Sequence, residues 1–530
     1  MANFRVAKLS MLVVAAWACC SISFPSPAQA GNVPRGVRVI HEIKHDVSLP
    51  LRDMAKMVPV QQYTNREIEL RSHAVIKQLP GEDPVAQQLT LPEVSTTNLL
   101  NFDGQGADGV APPDTEGAVG GTQYVQWVNL RYNVYDKTTG ALILGPVLGN
   151  AFWQNFGGTC ESSNSGDPIV LYDKAAQRWF VSQPVFSSPY KYCIAVSTSS
   201  DATGTYNRYA FATSPEADFP DYPKWAVWPD AYYSSVNEFI GSTHDGIQAC
   251  AADRAAMLAG NAATLQCFNE PAPFFGFLPS DLDGNTPPPA GSPDYYLGLG
   301  SDTSHLNMFQ FHVDFANPAN STFTGPIAIA VPNYTLICVN GPDEIRACIP
   351  QPSPGEKVAS LPNRLMYRLA YRNFGDHESL VASHTVKPGA ASSAVAAIRW
   401  YEIRNPKNPK VVQAGTLQHP TISIWCPSIA MDKNGDIALG LSASSTTLDP
   451  SIAYLGRVPT DPRNKMESPA TVVRGTGVQE ATQNRWGDYS AMQVDPADDC
   501  TFWFTTEYYK ASGPFRWSTR INSFKFNSCH

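Results

Sequence analysis

The chain has 530 residues, with 47 acidic against 38 basic side chains for a formal net charge of −9, and aromatic residues make up 11% of it. Acidic residues are spread throughout and no Lys/Arg cluster tracks phosphates, which excludes nucleic acid as the expected partner. After the N-terminal leader no stretch approaches the roughly 18 consecutive apolar residues of a membrane helix, so no membrane span is expected.

Residues 1–30 read as a cleavable secretory signal: Arg5 and Lys8 precede an apolar run from Met11 to Phe24, and Ala28-Gln29-Ala30 supplies the small-residue cleavage site. The mature chain then starts at Gly31 and is secreted or periplasmic. Residues 31–95 form a leader of mixed charge and weak periodicity, partly extended or wrapping, whose role as a pro-segment stays open. From residue 96 to 530 a single β-propeller domain is expected.

That expectation rests on a strand-turn-strand unit that recurs about every 60 residues. It is clearest in DPIVLYDKAAQRWFVSQ from Asp167, CPSIAMDKNGDIALGLS from Cys426 and YSAMQVDPADDCTFWFT from Tyr489. Weaker copies place further turns near Gly120, Asn237, Asp302 and Asn373, beside those at Asp173, Asp432 and Asp495. The spacing predicts a seven-bladed, all-β propeller, with two β-sandwiches as the alternative. In the second unit four strands can be traced, at 168–173, 178–184, 192–197 and 206–211. The last unit has only three, so residues 96–102 are expected to close the ring on its outer edge.

Of 11 cysteines, Cys19 and Cys20 fall in the signal and lack a lipoprotein setting. The remaining nine should mostly pair in an oxidising compartment. Proximity pairs Cys160 with Cys193, Cys250 with Cys267, Cys338 with Cys348 and Cys500 with Cys529, while other connectivities stay open. Cys426, at the start of an innermost strand, is left as the free thiol, a packed core residue or a nucleophile.

The combination of PPDTEGAVG, GDPIVLYDKAAQRWF, WPDAYYSSVNEF, YRNFGDHESLV, SIAMDKNGDIALGLSASS and RWGDYSAMQVDPADDCTFWFTTEYY resembles a group of exported bacterial proteins labelled propeller or sialidase-like. The resemblance spans about Asp114 to Cys529. It implies a secreted propeller and brings no activity with it. Arg131, Arg178, Arg364, Arg368, Arg372, Arg399 and Arg485 could supply a carboxylate-binding cluster of the sialidase kind, yet none sits in a local motif of that chemistry.

Candidate site residues come from blade geometry. Asp114, Asp167, Asp230, Asp294 and Asp488 each precede a turn by a similar interval, so they are expected to converge on one mouth of the central channel. Such carboxylates repel one another unless a cation or hydrogen-bond donors compensate, and Ca2+ is the candidate metal; the alternative is that each Asp caps its own strand. Asp281-Leu282-Asp283-Gly284-Asn285 is a second candidate calcium loop, and Asp376-His377-Glu378 an acid/base trio at a hairpin tip. Tyr190, Tyr508, Tyr509, Phe515 and Trp517 are expected to offer aromatic faces to sugars, or else to pack against one another. Two functions follow. One is a monomeric, non-catalytic module that binds an extracellular glycan or protein, and the other is a polysaccharide hydrolase or lyase using the mouth carboxylates.

Overall fold

Short segments rich in Val, Ile, Tyr and Trp, divided by Asp-, Asn- and Gly-bearing turns, fold as antiparallel strands. The computed structural model describes residues 1, 36–58, 65–68, 70–71, 76–213, 218–340, 344–388, 395–480 and 484–530. The expected signal peptide lies outside the described residues save for Met1. Everything below belongs to the unit Arg35–His530.

The fold is all-β, in successive runs of four antiparallel strands. The first run comprises Thr115–Val119, Gln123–Val128, Arg131–Asp136 and Leu142–Leu148, and the second Ile169–Asp173, Arg178–Val185, Lys191–Ser197 and Tyr206–Ala212. The third is Phe219–Val227, Ala231–Ile240, Thr243–Asp253 and Thr264–Pro271, and the fourth Leu278–Asp283, Asp294–Leu299, His305–His312 and Thr322–Ala330. Met366–Asn373, Glu378–Val386, Ala397–Arg404 and Lys410–Gln418 make the fifth, and Ser423–Met431, Ile437–Ser445, Leu448–Arg457 and Ala470–Val473 the sixth. The last consists of Ala491–Val494, Thr501–Tyr509 and Trp517–Phe526, completed by Thr96–Gly106 from before the first run. First strands touch in order around the molecule, and Ala491–Val494 returns to Thr115–Val119.

The recurring turn aspartates have a local cause. Asp173 Oδ1 accepts the Ala176 amide at 3.0 Å, Asp432 Oδ1 the amides of Asn434 and Asp436 at 2.8 and 3.0 Å, and Asp495 Oδ1 that of Ala497 at 2.9 Å. A carboxylate that accepts amides a few residues on substitutes for a backbone turn bond, which is why Asp recurs at the reversal.

Two departures from the expected pattern stand out. In the third run the turn read at Asn237 falls inside strand Ala231–Ile240, and in the fourth the turn at Asp302 is not the first: Phe219–Val227 and Leu278–Asp283 precede Ala231–Ile240 and Asp294–Leu299 as innermost strands. The sequence frame slipped by one strand, because the second strands carry the clearer alternation while Pro220 and Pro223 disguise the first. Nor does each run form its own sheet. Leader strand Arg38–Val47 pairs antiparallel with both Tyr206–Ala212 and Thr264–Pro271, fusing the second and third runs at their outer edges. The fourth and fifth fuse through their first strands, where residues 280–283 pair parallel with 369–372. Ala86–Gln88 adds in parallel to Lys410–Gln418, so the leader covers outer edges that would otherwise be open to pairing with other chains.

Four disulfides form, Cys160–Cys193, Cys250–Cys267, Cys338–Cys348 and Cys500–Cys529, with Cys426 free and buried. Among the described residues no helix is long and apolar enough to cross a membrane. Cys500–Cys529 closes a loop of 29 residues around the outermost C-terminal chain. Cys529→Ser is therefore expected to lower stability by about 3–4 kcal/mol in guanidinium unfolding; a loss near zero would show that the terminus is held without the bridge.

Candidate functional site

Asp114, Asp167 and Asp488 stand immediately before the first strands of the first, second and last runs, all three in left-handed backbone with φ of 49°, 48° and 63°. Tyr222 and Cys426 take the same conformation in the third and sixth, at 58° and 46°. Asp tolerates this region because its short polar side chain bonds locally; at Tyr222 and Cys426 the kink falls inside the first strand, where the pairing register shifts.

Together with Asp221, the three aspartates line one small mouth. Asp114 Oδ2 accepts Asn129 Nδ2 at 2.7 Å, and Asp167 Oδ2 accepts the Tyr489 hydroxyl at 3.1 Å. Arg485 Nη2 donates to Asp488 Oδ2, and the Asp488 carbonyl accepts the Tyr222 hydroxyl at 2.9 Å. Arg364 lies 4.5 Å over the Tyr222 ring and is buried. Leader residues cover the opening. Arg66–Glu67 pairs parallel with Val110–Ala111, Glu67 Oε1 accepts the Arg485 amide at 2.7 Å, Ile68 O accepts Arg485 Nη1 at 2.6 Å, and Arg71 sits 3.7 Å over Phe219. The space left is about 30 Å³, enough for a water or two.

Charge continues inward. Lys224 Nζ lies 3.3 Å from the ring centroid of Tyr222 and 3.4 Å from that of Tyr489, donating to the Pro223 carbonyl at 3.0 Å. Burial pulls its amine down to about 7, against the upward pull of Glu116 and Asp167. Glu116 is fully buried, neither carboxyl oxygen has a hydrogen-bond partner among the described residues, and that burial holds it well above the usual carboxylate range. Asp167 keeps part of its surface toward solvent; burial of the rest, then Asp221, pushes it up to about 7. Asp114 is raised by burial and by Asp167 and Asp488. Deeper still, Arg368 Nε bonds Asp281 Oδ2 at 2.7 Å and its Nη groups reach Asp283 at 2.7 and 2.9 Å, with Lys174 3.4 Å from Asp283. Against the push of burial, Arg368 and Lys174 hold Asp283 below its ordinary range.

Of the five expected mouth aspartates the structure thus gathers three. Asp230 lies in the turn between Phe219–Val227 and Ala231–Ile240, and Asp294 opens a second strand, where it accepts the Ser280 amide at 3.0 Å. Both sit at the opposite strand ends, a direct consequence of the one-strand slip. Asp281 and Asp283 belong to an innermost strand and bind Arg368, so they form no solvent-exposed loop. Among the described residues no group of three or more His, Cys, Asp or Glu could hold a metal ion; the mouth carboxylates meet Arg485, Arg364, Arg71 and Lys224 instead. Tyr508, Tyr509 and Trp517 are 2%, 0% and 1% exposed. They occupy strands rather than loops, Tyr508 donating to Asp103 at 2.7 Å and Trp517 Nε1 to the Val110 carbonyl at 2.7 Å, so they present no face to a sugar. Tyr190 packs edge-on against Phe219, and Phe515 is half-buried in left-handed backbone. Sequence reasoning missed Asp221, Tyr222, Lys224, Glu116 and Arg71. A signal was present: Tyr222-Pro223 followed by a strand and Asp230 repeats Asp167-Pro168 with Asp173 and Cys426-Pro427 with Asp432.

No protein family matches the sequence, and no curated protein does. Among solved structures the chain is similar to the N-terminal domain of Nup159, at 8% identity over 85% of this chain and 100% of that one, with a TM-score of 0.37. It is also similar to an alpha-L-arabinanase of Penicillium chrysogenum complexed with arabinobiose, at 8% over 83% and 99%, TM-score 0.36, and to the WD40 domain of SCAP from fission yeast, at 9% over 77% and 82%, TM-score 0.33. Likenesses this distant carry no activity across. The geometry itself makes a prediction: Arg368→Ala would strand Asp281 without its ion-pair partner and leave Asp283 to Lys174, and should cost about 3–5 kcal/mol in denaturant unfolding, whereas a loss under about 1 kcal/mol would mean the axial ion network is dispensable.

Proposed function

We propose that this chain is an exported, seven-bladed propeller that binds extracellular glycans, without catalysis, at its axial mouth. The blade reading is supported by the successive four-stranded runs, the closed order of their first strands and the completion of the last run by Thr96–Gly106. Export is supported by the signal-like residues 1–30 and by four disulfides in one chain.

One observation carries the binding reading. Around the mouth, Arg71 Nη1 and Arg485 Nε are buried donors, and Asp488 Oδ1 and Asn129 Oδ1 buried acceptors, none with a partner among the described residues. Buried polar atoms are rarely left so. A mixed set of donors and acceptors suits vicinal hydroxyls, each of which both donates and accepts, better than it suits a simple anion or cation. With about 30 Å³ available, a sugar enters only as leader residues 66–71 shift from the opening. A calcium ion recruited there would have to displace Arg485 from Asp488. Purified mature protein is expected to be retained on at least one plant, algal or bacterial polysaccharide without releasing sugar, and Asp488→Asn to weaken retention at least tenfold. Failure to bind any glycan in such a panel would remove the proposal.

A second reading, a polysaccharide hydrolase or lyase, is favoured by one feature: Asp167, bonded by Tyr489 and close enough to Lys224 to raise its pKa, is a carboxyl poised near neutrality beside an amine poised there too. Sugar release by wild type but not by Asp167→Ala would select it. The same pair fixes a pH dependence. Asp167 is raised from 3.8 to about 7, so its stabilisation is complete below its unfolded pKa and disappears as pH rises through about 7. Lys224 is lowered from 10.5 to about 7, so its stabilisation is complete above its unfolded pKa and disappears as pH falls through about 7. Between pH 5 and 8 Asp167→Asn should therefore lose less melting temperature with rising pH than wild type does; parallel profiles would contradict the shift at Asp167.

A further inference from the structure

At the opposite strand ends, the fifth and sixth runs enclose a cavity of about 330 Å³, within the usual size of small-ligand sites. Its charges do not cancel. Glu402, 2% exposed, is fully engaged by Arg404 Nε at 2.6 Å, Ser379 Oγ at 2.9 Å and Gln413 Nε2. Arg457, 3% exposed, has only neutral acceptors: Gln413 Oε1 at 2.7 Å and the carbonyls of Val458, Asp461 and Pro462 at 3.0, 3.1 and 3.3 Å. Its Nε–H has no acceptor and no carboxylate pairs with it among the described residues. Asp461, the nearest candidate, turns its Oδ2 to the Val458 amide at 2.9 Å.

Exposed Arg463 lines the same cavity; burial depresses Arg457, Asp461 and then Glu402 work to raise it, and Arg463 adds to the depression. A buried guanidinium that no carboxylate contacts directly, beside a second cation, is incompletely compensated by Asp461 and Glu402, and an anion seated between the two would complete the match. The remaining wall mixes the rings of Phe374 and His377 with Val412, Met431, Pro459 and the polar Asn434. Phe374 and His377 stack at 4.8 Å and 17°, and Gly435, at φ 83°, lies beside Phe374 and Pro459.

We infer that this cavity is a second ligand site, for a sugar ring that bears a carboxylate or sulfate, with the anion between Arg457 and Arg463 and the ring against Phe374. The site is independent of the axial mouth and is tested separately from it. Titration calorimetry of the full mature chain with D-glucuronate, D-glucose and inorganic sulfate should show saturable one-site binding of glucuronate alone. Arg463→Ala, a surface change that leaves the fold intact, and Phe374→Ala should each weaken it at least tenfold, while Asp488→Asn at the mouth leaves it unchanged. Equal binding of glucose overturns the anion, and sulfate binding as tight as glucuronate overturns the ring. No glucuronate heat, or heat lost in Asp488→Asn and kept in Arg463→Ala, overturns the site.

Discussion

The pairing of Thr96–Gly106 with Trp517–Phe526 is the constraint on which the rest depends. It joins segments separated by most of the chain, so its loop entropy is met only once every intervening run has folded. Side chains reinforce it: Asp103 accepts Tyr508, Lys510 and Arg520 at 2.7, 2.6 and 2.8 Å, and Asn522 Nδ2 reaches Asn98 Oδ1 at 2.6 Å. Those donors hold the Asp103 carboxyl at about 2 despite the opposing effect of burial. The consequence for function is positional. Only when the last run is completed beside the first does Asp488 stand with Asp114 and Asp167 at one opening.

What fills the axis explains why that opening can be so acidic. Hydrophobic packing occurs between runs, where Trp, Tyr and Phe dominate, whereas the innermost strands carry Glu116, Lys224, Asp281, Asp283 and Arg368, all buried. Ionised groups in such a place are stable only when matched in detail, as Arg368 is by Asp281 and Asp283. Where matching is incomplete, at Glu116 and at Lys224, the groups move toward neutrality instead, Glu116 upward and Lys224 downward. Paired charges in the depth thus give way to partly satisfied ones toward the mouth.

Much of this was legible in residues. Asp173, Asp432 and Asp495 announce turns because an Asp side chain can replace a backbone bond, and the absence of a fourth strand after Phe526 points to a donor upstream. Cysteine proximity gave the four bridges, since each links neighbouring parts of the fold. Less could be read where two strands share one alternation: Ala231–Ile240 looks like an innermost strand, and only the Tyr222-Pro223 pair, repeating Asp167-Pro168 and Cys426-Pro427, marks Phe219–Val227 as the first. Asp230 and Asp294 were misplaced for that reason alone. Arg71 was beyond reach for another, since what brings it to Phe219 is the path of the leader, and no period records that. The aromatic loops were misread because Tyr508, Tyr509 and Trp517 extend strands into what composition presents as connections.

Hydrogen exchange of the native mature chain tests the closure most directly. Amides of residues 96–106 should exchange as slowly as those of 517–526, both through global unfolding. Rapid exchange at 96–106 beside a protected 517–526 would show the last run open at its edge, and the gathering of Asp114, Asp167 and Asp488 would lose its cause.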